Sequence, residues 1–86
     1  LIIMSLEYYK KQMVDLRAKL QKEKDAKKKD NEYYARMVKF SSTPSGKASY
    51  RKMKIDRAAS HDRQIESIKR QIETCKDNIA RERKRK

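Results

Sequence analysis

The chain is short of nearly everything that punctuates or staples a fold. Its 86 residues hold one glycine, one proline, one cysteine, one histidine, one phenylalanine and no tryptophan. A lone Cys75 cannot supply the paired framework of a small disulfide scaffold. One Cys and one His are too few for a zinc cage, so neither a metal nor a cofactor is expected. Strand-rich folds need frequent turn residues, and here Pro44 and Gly46 stand together in one place. A membrane span needs about 20 consecutive apolar residues. The longest apolar run is Leu1–Met4, also too short for the core of a signal peptide. With no export signal and a single thiol, a reducing cytoplasm is the expected compartment. Acidic residues are scarce beside basic ones, 12 against 25, which leaves a net charge of +13.

What remains is helix-forming material with one interruption. Ser41-Ser42-Thr43-Pro44-Ser45-Gly46 is six turn-forming residues in a row. On either side lie about 40 residues rich in Lys, Arg, Glu, Gln, Ala and Met and free of Gly and Pro. The sequence therefore predicts one unit over residues 1–86, with helix 1 over about 5–40, a turn over 41–46 and helix 2 over about 47–85. Ser45 or Ser49 is placed to cap the second helix. Arg81–Lys86 ends without a Gly, Asn or Pro stop signal, so the chain reads as part of a longer protein.

The apolar spacing joins the two arms. Leu6, Tyr9, Met13, Leu16 and Leu20 step by 3, 4, 3 and 4, and so do Ile65, Ile68, Ile72, Cys75 and Ile79. That is the seam of a coiled coil. In an antiparallel pair, facing residues keep a nearly constant index sum. Leu20 with Ile68, Leu16 with Ile72, Met13 with Cys75 and Tyr9 with Ile79 all share the sum 88. The expected fold is all-α, two long helices in an antiparallel coiled-coil hairpin. The same register sets Lys27 against His61 and Asp30 against Ala58, a polar waist that His61 would loosen on gaining a proton beside Lys27. Nearer the turn, Tyr33, Tyr34, Met37, Val38 and Phe40 are expected to close over Tyr50, Met53 and Ile55. Val14, Ala80 and the overhang Leu1–Met4 fall off the seam, as candidates for a second contact.

No catalytic group assembles from this material. His61 and Cys75 lie on one helix, separated by about 21 Å of helical rise. Gly46-Lys47 lacks the upstream glycine and the following Ser or Thr of a phosphate-binding loop. Thr43-Pro44 has the form of a proline-directed phosphorylation site, though a plain helix-joining turn is the simpler reading. Acidic residues such as Asp15, Glu23 and Glu66 stand four positions before Lys19, Lys27 and Arg70, the spacing of surface pairs along one helix. The charge is spread as +5 on residues 1–40 and +8 on residues 41–86. Its densest stretches are Lys27–Lys29, Lys47–Arg57 and Arg81–Lys86, and of these Lys27, Lys28, Lys29, Arg81, Arg83, Lys84, Arg85 and Lys86 are candidate phosphate contacts for a nucleic acid.

From residue 33 to residue 80 the chain resembles a known arrangement. Ser-Ser-Thr-Pro-Ser at 41–45 leads through Lys47, Tyr50, Lys54, Ile55, Arg57, Ala58 and Ala59 into the isoleucine repeat 65–72 and Ile79-Ala80. This is similar to the N-terminal coiled-coil hairpins that precede effector domains, notably TIR domains, in bacterial immune-type proteins. The resemblance implies an oligomerisation or sensing arm with its catalytic domain downstream. The sequence thus leads to a non-enzymatic interaction and oligomerisation module. Its expected partners are itself or another helical protein, with no membrane and no small-molecule substrate. A basic helical nucleic-acid-binding protein is the rival expectation.

Overall fold

Two helices account for nearly the whole chain. In the computed structural model, the backbone is described for residues 2–84 and side chains for residues 5–84. Helix α1 runs Ile2–Phe40 and helix α2 runs Pro44–Lys84. They lie side by side as an antiparallel hairpin 65 × 14 × 12 Å. The side chains of Leu1–Met4, and of Arg85 and Lys86 among the candidate phosphate contacts, lie outside the described residues.

The connection is shorter than the sequence suggests. Among the described residues only Ser41, Ser42 and Thr43 stand outside helical structure, and α2 starts at Pro44, not near residue 47. Proline suits the first helical position: its fixed φ is already helical, and the N–H it lacks would have no intrahelical partner there. The cap is Thr43 and neither Ser45 nor Ser49. Its Oγ1 accepts the Gly46 N–H at 3.0 Å, and its carbonyl accepts the Lys47 N–H at 3.0 Å. A Cβ on Gly46 would run into Ser41 Oγ first and come within 2.9 Å of that same Thr43 Oγ1, so the bare glycine leaves room for both hydroxyls. At the other end of α2, Arg81, Arg83 and Lys84 stand at the negative pole of the helix dipole.

The core lies in the half away from the turn. Leu6, Met13, Ile65, Ile68, Ile72 and Cys75 are buried. Met13, Ile68, Ile72 and Cys75 form one cluster, with Tyr9, Leu16, Leu20 and Ile79 packed on it and partly exposed. Cys75 also donates its Sγ–H to the Tyr9 carbonyl across the seam at 3.0 Å. The isoleucines suit this narrow seam because their stiff side chains lose little rotamer freedom on packing.

The turn half is arranged differently from the expectation. Tyr34, Met37, Val38 and Tyr50 are half-buried. Tyr33, Phe40, Met53 and Ile55, expected to close over one another, are exposed; Phe40 is 75% and Ile55 68% accessible. The reason lies in the register of α2. Its inward residues step Lys47, Tyr50, Lys54, Ala58, His61, with two successive steps of four. This inserted spacing rotates the inward face near the turn. It brings Lys54 and Ala58 towards α1 and carries Met53 and Ile55 out to the flanks. Val14 is 65% accessible and Ala80 is exposed.

Candidate functional site

The centre of the hairpin is held by charge. His61 projects from α2 between two carboxylates of α1 that stand seven residues, about 10.5 Å of helical rise, apart. Its Nδ1–H donates to Glu23 Oε1 and its Nε2–H to Asp30 Oδ2, each at 2.6 Å. A carboxylate only accepts, so both bonds form together only when both ring nitrogens carry protons. The histidine is then the imidazolium, and its pKa is raised. The hydrogen bond to Asp30 contributes most, the bond to Glu23 next, and partial burial opposes them weakly. One turn away, Lys27 Nζ meets Asp62 Oδ1 at 2.5 Å. Towards the turn, the Tyr34 hydroxyl, hydrogen-bonded to the Arg57 side chain, raises the guanidinium's pKa above its ordinary value.

This corrects the waist read from sequence. Lys27 does not face His61; it turns to Asp62. Asp30 reaches past Ala58 to the imidazole. Protonation of His61 therefore tightens the hairpin, because the neighbours it meets are carboxylates and not an ammonium. The two contacts deviate from the constant-sum pairing by a few positions because long side chains lean along the helix. Glu23 is thereby committed across the seam. None of the expected in-helix pairs Asp15–Lys19, Glu23–Lys27 and Glu66–Arg70 closes to ion-pair distance. Lys76 with Glu73, a neighbouring pair the sequence also offers, does close, at 4.0 Å.

The other sequence candidates fall as follows. Of the ten seam residues, Met13, Ile68, Ile72 and Cys75 form the core cluster, Tyr9, Leu16, Leu20 and Ile79 pack on its margin, and Leu6 and Ile65 are buried beyond it. Lys27 sits in the waist; Lys28 and Lys29 are on the outer surface of α1 beside Asp25 and Glu32. Arg81, Arg83 and Lys84 are exposed on the last turn of α2. Cys75 is buried within the core and His61 is engaged at the waist, so the two sites are separate. Among the described residues no cluster of three His, Cys, Asp or Glu side chains is placed to hold a metal ion. Glu23 and Asp30 approach opposite edges of the imidazole, which keeps them from sharing one cation with it. No described helix is long and apolar enough to cross a membrane.

Two open grooves run beside the seam, one on each flank. The larger, about 560 Å³, lies against Leu16 and Cys75 and is walled by Gln12, Gln71, Thr74 and Asn78. The smaller, about 330 Å³, lies on the opposite flank near the turn, against Ile55, Ala58 and Asn31. Sequence spacing gave no sign of the waist network, because it depends on how far each long side chain reaches. No protein-family model, no curated protein and no solved structure matches the chain.

Proposed function

We propose that the hairpin is a non-enzymatic coiled-coil module for interaction and oligomerisation, serving as the N-terminal arm of a bacterial defence effector of the TIR type. It pairs with a second copy of itself or with another helical protein. Its setting is the cytoplasm, where Cys75 stays a thiol. The observation that carries this reading is the thinness of the core. Among the described residues six apolar side chains are buried, none of the large ones fully, while Tyr8, Val14, Phe40 and Ile55 remain more than half accessible. Two helices with one narrow seam offset the entropy of ordering 86 residues only marginally. A further helix laid along the flank of Val14 and Ile55 covers those two residues and adds the missing burial. Ile55, beside Ala58 in the smaller groove, is the apolar anchor on the turn half.

Sedimentation velocity over a range of concentrations tests the reading. The wild type should shift to higher mass as concentration rises. Ile55→Asp, at a position outside the hairpin's own core, should keep its helical circular dichroism and lose the shift. Leu16→Asp should lose both. A wild type that stays monomeric at every concentration and with every helical partner offered would overturn the proposal.

A further inference from the structure

The charges of this protein are not spread evenly around the rod. On the flank that carries the larger groove, α2 presents Ser60, Gln64, Ser67, Gln71, Thr74 and Asn78, stepping by 4, 3, 4, 3 and 4. Four of these six line the groove. A run of uncharged hydrogen-bonding side chains this long is unexpected in a chain that is 43% charged. It is bounded at the same spacing by Arg57 and Arg81. Across the groove, the matching positions of α1 continue from Gln12 through Lys19, Lys22, Lys29 and Arg36. Of the chain's 12 carboxylates only Asp15 falls in these two rows, and it lines the groove together with Arg70.

The opposite flank has a different make-up. Glu7, Asp62, Glu66 and Glu73 fall there by the same register, interspersed with lysines and arginines. Both lysine ion pairs, Lys27 with Asp62 and Lys76 with Glu73, use these carboxylates. No described ion pair engages Lys19, Lys22, Lys29 or Arg36. One side of the rod thus carries mixed and partly paired charge. The other carries cations and neutral donors over most of its length, with Asp15 in its rows and Asp25 and Glu32 at its outer edge beside Lys29.

Cations interleaved with Ser, Thr, Gln and Asn are the side chains that hydrogen-bond phosphate and sugar oxygens. A helical protein partner would call for apolar anchors along the middle of the same rows, and Ala26 is the lone one between Gln12 and Tyr33. Single-stranded nucleic acid is held by stacking its bases on aromatic rings, and the aromatics of these rows, Tyr8, Tyr33 and Phe40, stand towards the ends of α1. A straight, 65 Å rod with a predominantly basic flank matches a straight polyanion; it would lie along about 19 base pairs of duplex at 3.4 Å each.

We infer that this flank, the uncharged row of α2 with the lysine row of α1, is a binding face for the sugar–phosphate backbone of duplex nucleic acid. It goes beyond the assembly role above and stands whether or not copies associate. The phosphate contacts on α1 are then Lys19, Lys22, Lys29 and Arg36, so that of the Lys27–Lys29 cluster Lys29 alone stays. Binding is indifferent to base sequence because nothing on the face reads base edges.

Fluorescence anisotropy with a labelled 20-base-pair DNA duplex, titrated at several salt concentrations, tests it on the whole chain. Lys19→Gln, Lys22→Gln and Arg36→Gln together should weaken binding by about tenfold or more, and lower the salt slope by about 2–3. Lys10→Gln, Lys24→Gln and Lys69→Gln remove the same charge from the other flank and should change affinity less than threefold. Gln71→Glu, which sets one carboxylate in the neutral row, should weaken binding like the first set. Circular dichroism shows whether each variant keeps its helices. Equal losses from both triple variants would reduce the effect to net charge and overturn the inference. So would an absence of binding at 50 mM salt, or a poly-glutamate peptide that displaces the duplex at equal charge concentration, which would identify an acidic protein as the better ligand.

Discussion

Raising the pH through neutrality should loosen this hairpin, and the effect should come from one residue. His61 binds both Glu23 and Asp30 only as the imidazolium. Loss of a proton removes one of the two bonds and turns a ring lone pair towards a carboxylate. The folded pKa lies above the ordinary value of 6.5, chiefly through the bond to Asp30. A raised folded pKa stabilises the fold fully below the unfolded value, and the contribution disappears as pH climbs through the folded value. Charge-assisted hydrogen bonds reach about 1.5–3 kcal/mol each when dry. Here the imidazole is 16% accessible and its partners 26% and 32%, so water screens them. About 1 kcal/mol, the loss of one screened charge-assisted bond, is the appropriate scale. For a chain of this size that corresponds to a fall in Tm of about 4–8 °C. Thermal unfolding followed by circular dichroism at 222 nm, at half-unit steps from pH 5.5 to 8.5, measures it. His61→Gln removes the titrating group and should flatten the profile. A wild-type Tm that rises with pH, or a slope that survives in His61→Gln, would refute the reasoning.

Other consequences follow from the cap, the core and the exposed flank. Thr43→Ala removes the acceptor of the Gly46 N–H and should cost about 1 kcal/mol, whereas Thr43→Ser keeps the oxygen and should cost a few tenths; urea denaturation of the two variants side by side decides it. Ile68, 2% accessible in the middle of the cluster, should lose about 2–4 kcal/mol on truncation to Ala. Ile55→Ala, of the same chemistry but exposed in the single hairpin, should stay within about 0.5 kcal/mol in the same denaturation series run at a dilution where the chain is monomeric. Similar losses at both positions would mean that the seam is misplaced.

Helix, turn and hairpin were all legible in the sequence, because each depends on residue type at fixed spacing. Pro44 and Gly46 mark the one interruption, and the isoleucines from Ile65 to Ile79 repeat at the period of a buried stripe. The exact start of α2 was hidden by Pro44 itself. A proline near a turn reads equally as the breaker of one helix or the first residue of the next, and the Thr43 hydroxyl decides between them. The stretch from Lys47 to Ala58 misled for another reason. Apolar residues there do not follow the inward face, so Met53 and Ile55 suggested a contact while Lys54 and Ala58 occupy it. The waist was the least legible part. Lys, Glu, Asp and His at seam positions announce polarity, but which charge meets which is set by side-chain reach and rotamer. The sign of the His61 effect turned on that detail. The charged flank was visible only once the groove showed which residues of the two helices share a side.

The most direct test of the account is the distance between two residues that the turn brings together. Nitroxide labels at positions 19 and 69, in a Cys75→Ser background and diluted with unlabelled protein, report it by double electron–electron resonance. A closed hairpin with its helices about 8–10 Å apart puts the labels about 20 Å from one another. A single continuous helix would separate them by about 75 Å, and a distribution centred there would contradict the hairpin and every assignment built upon it.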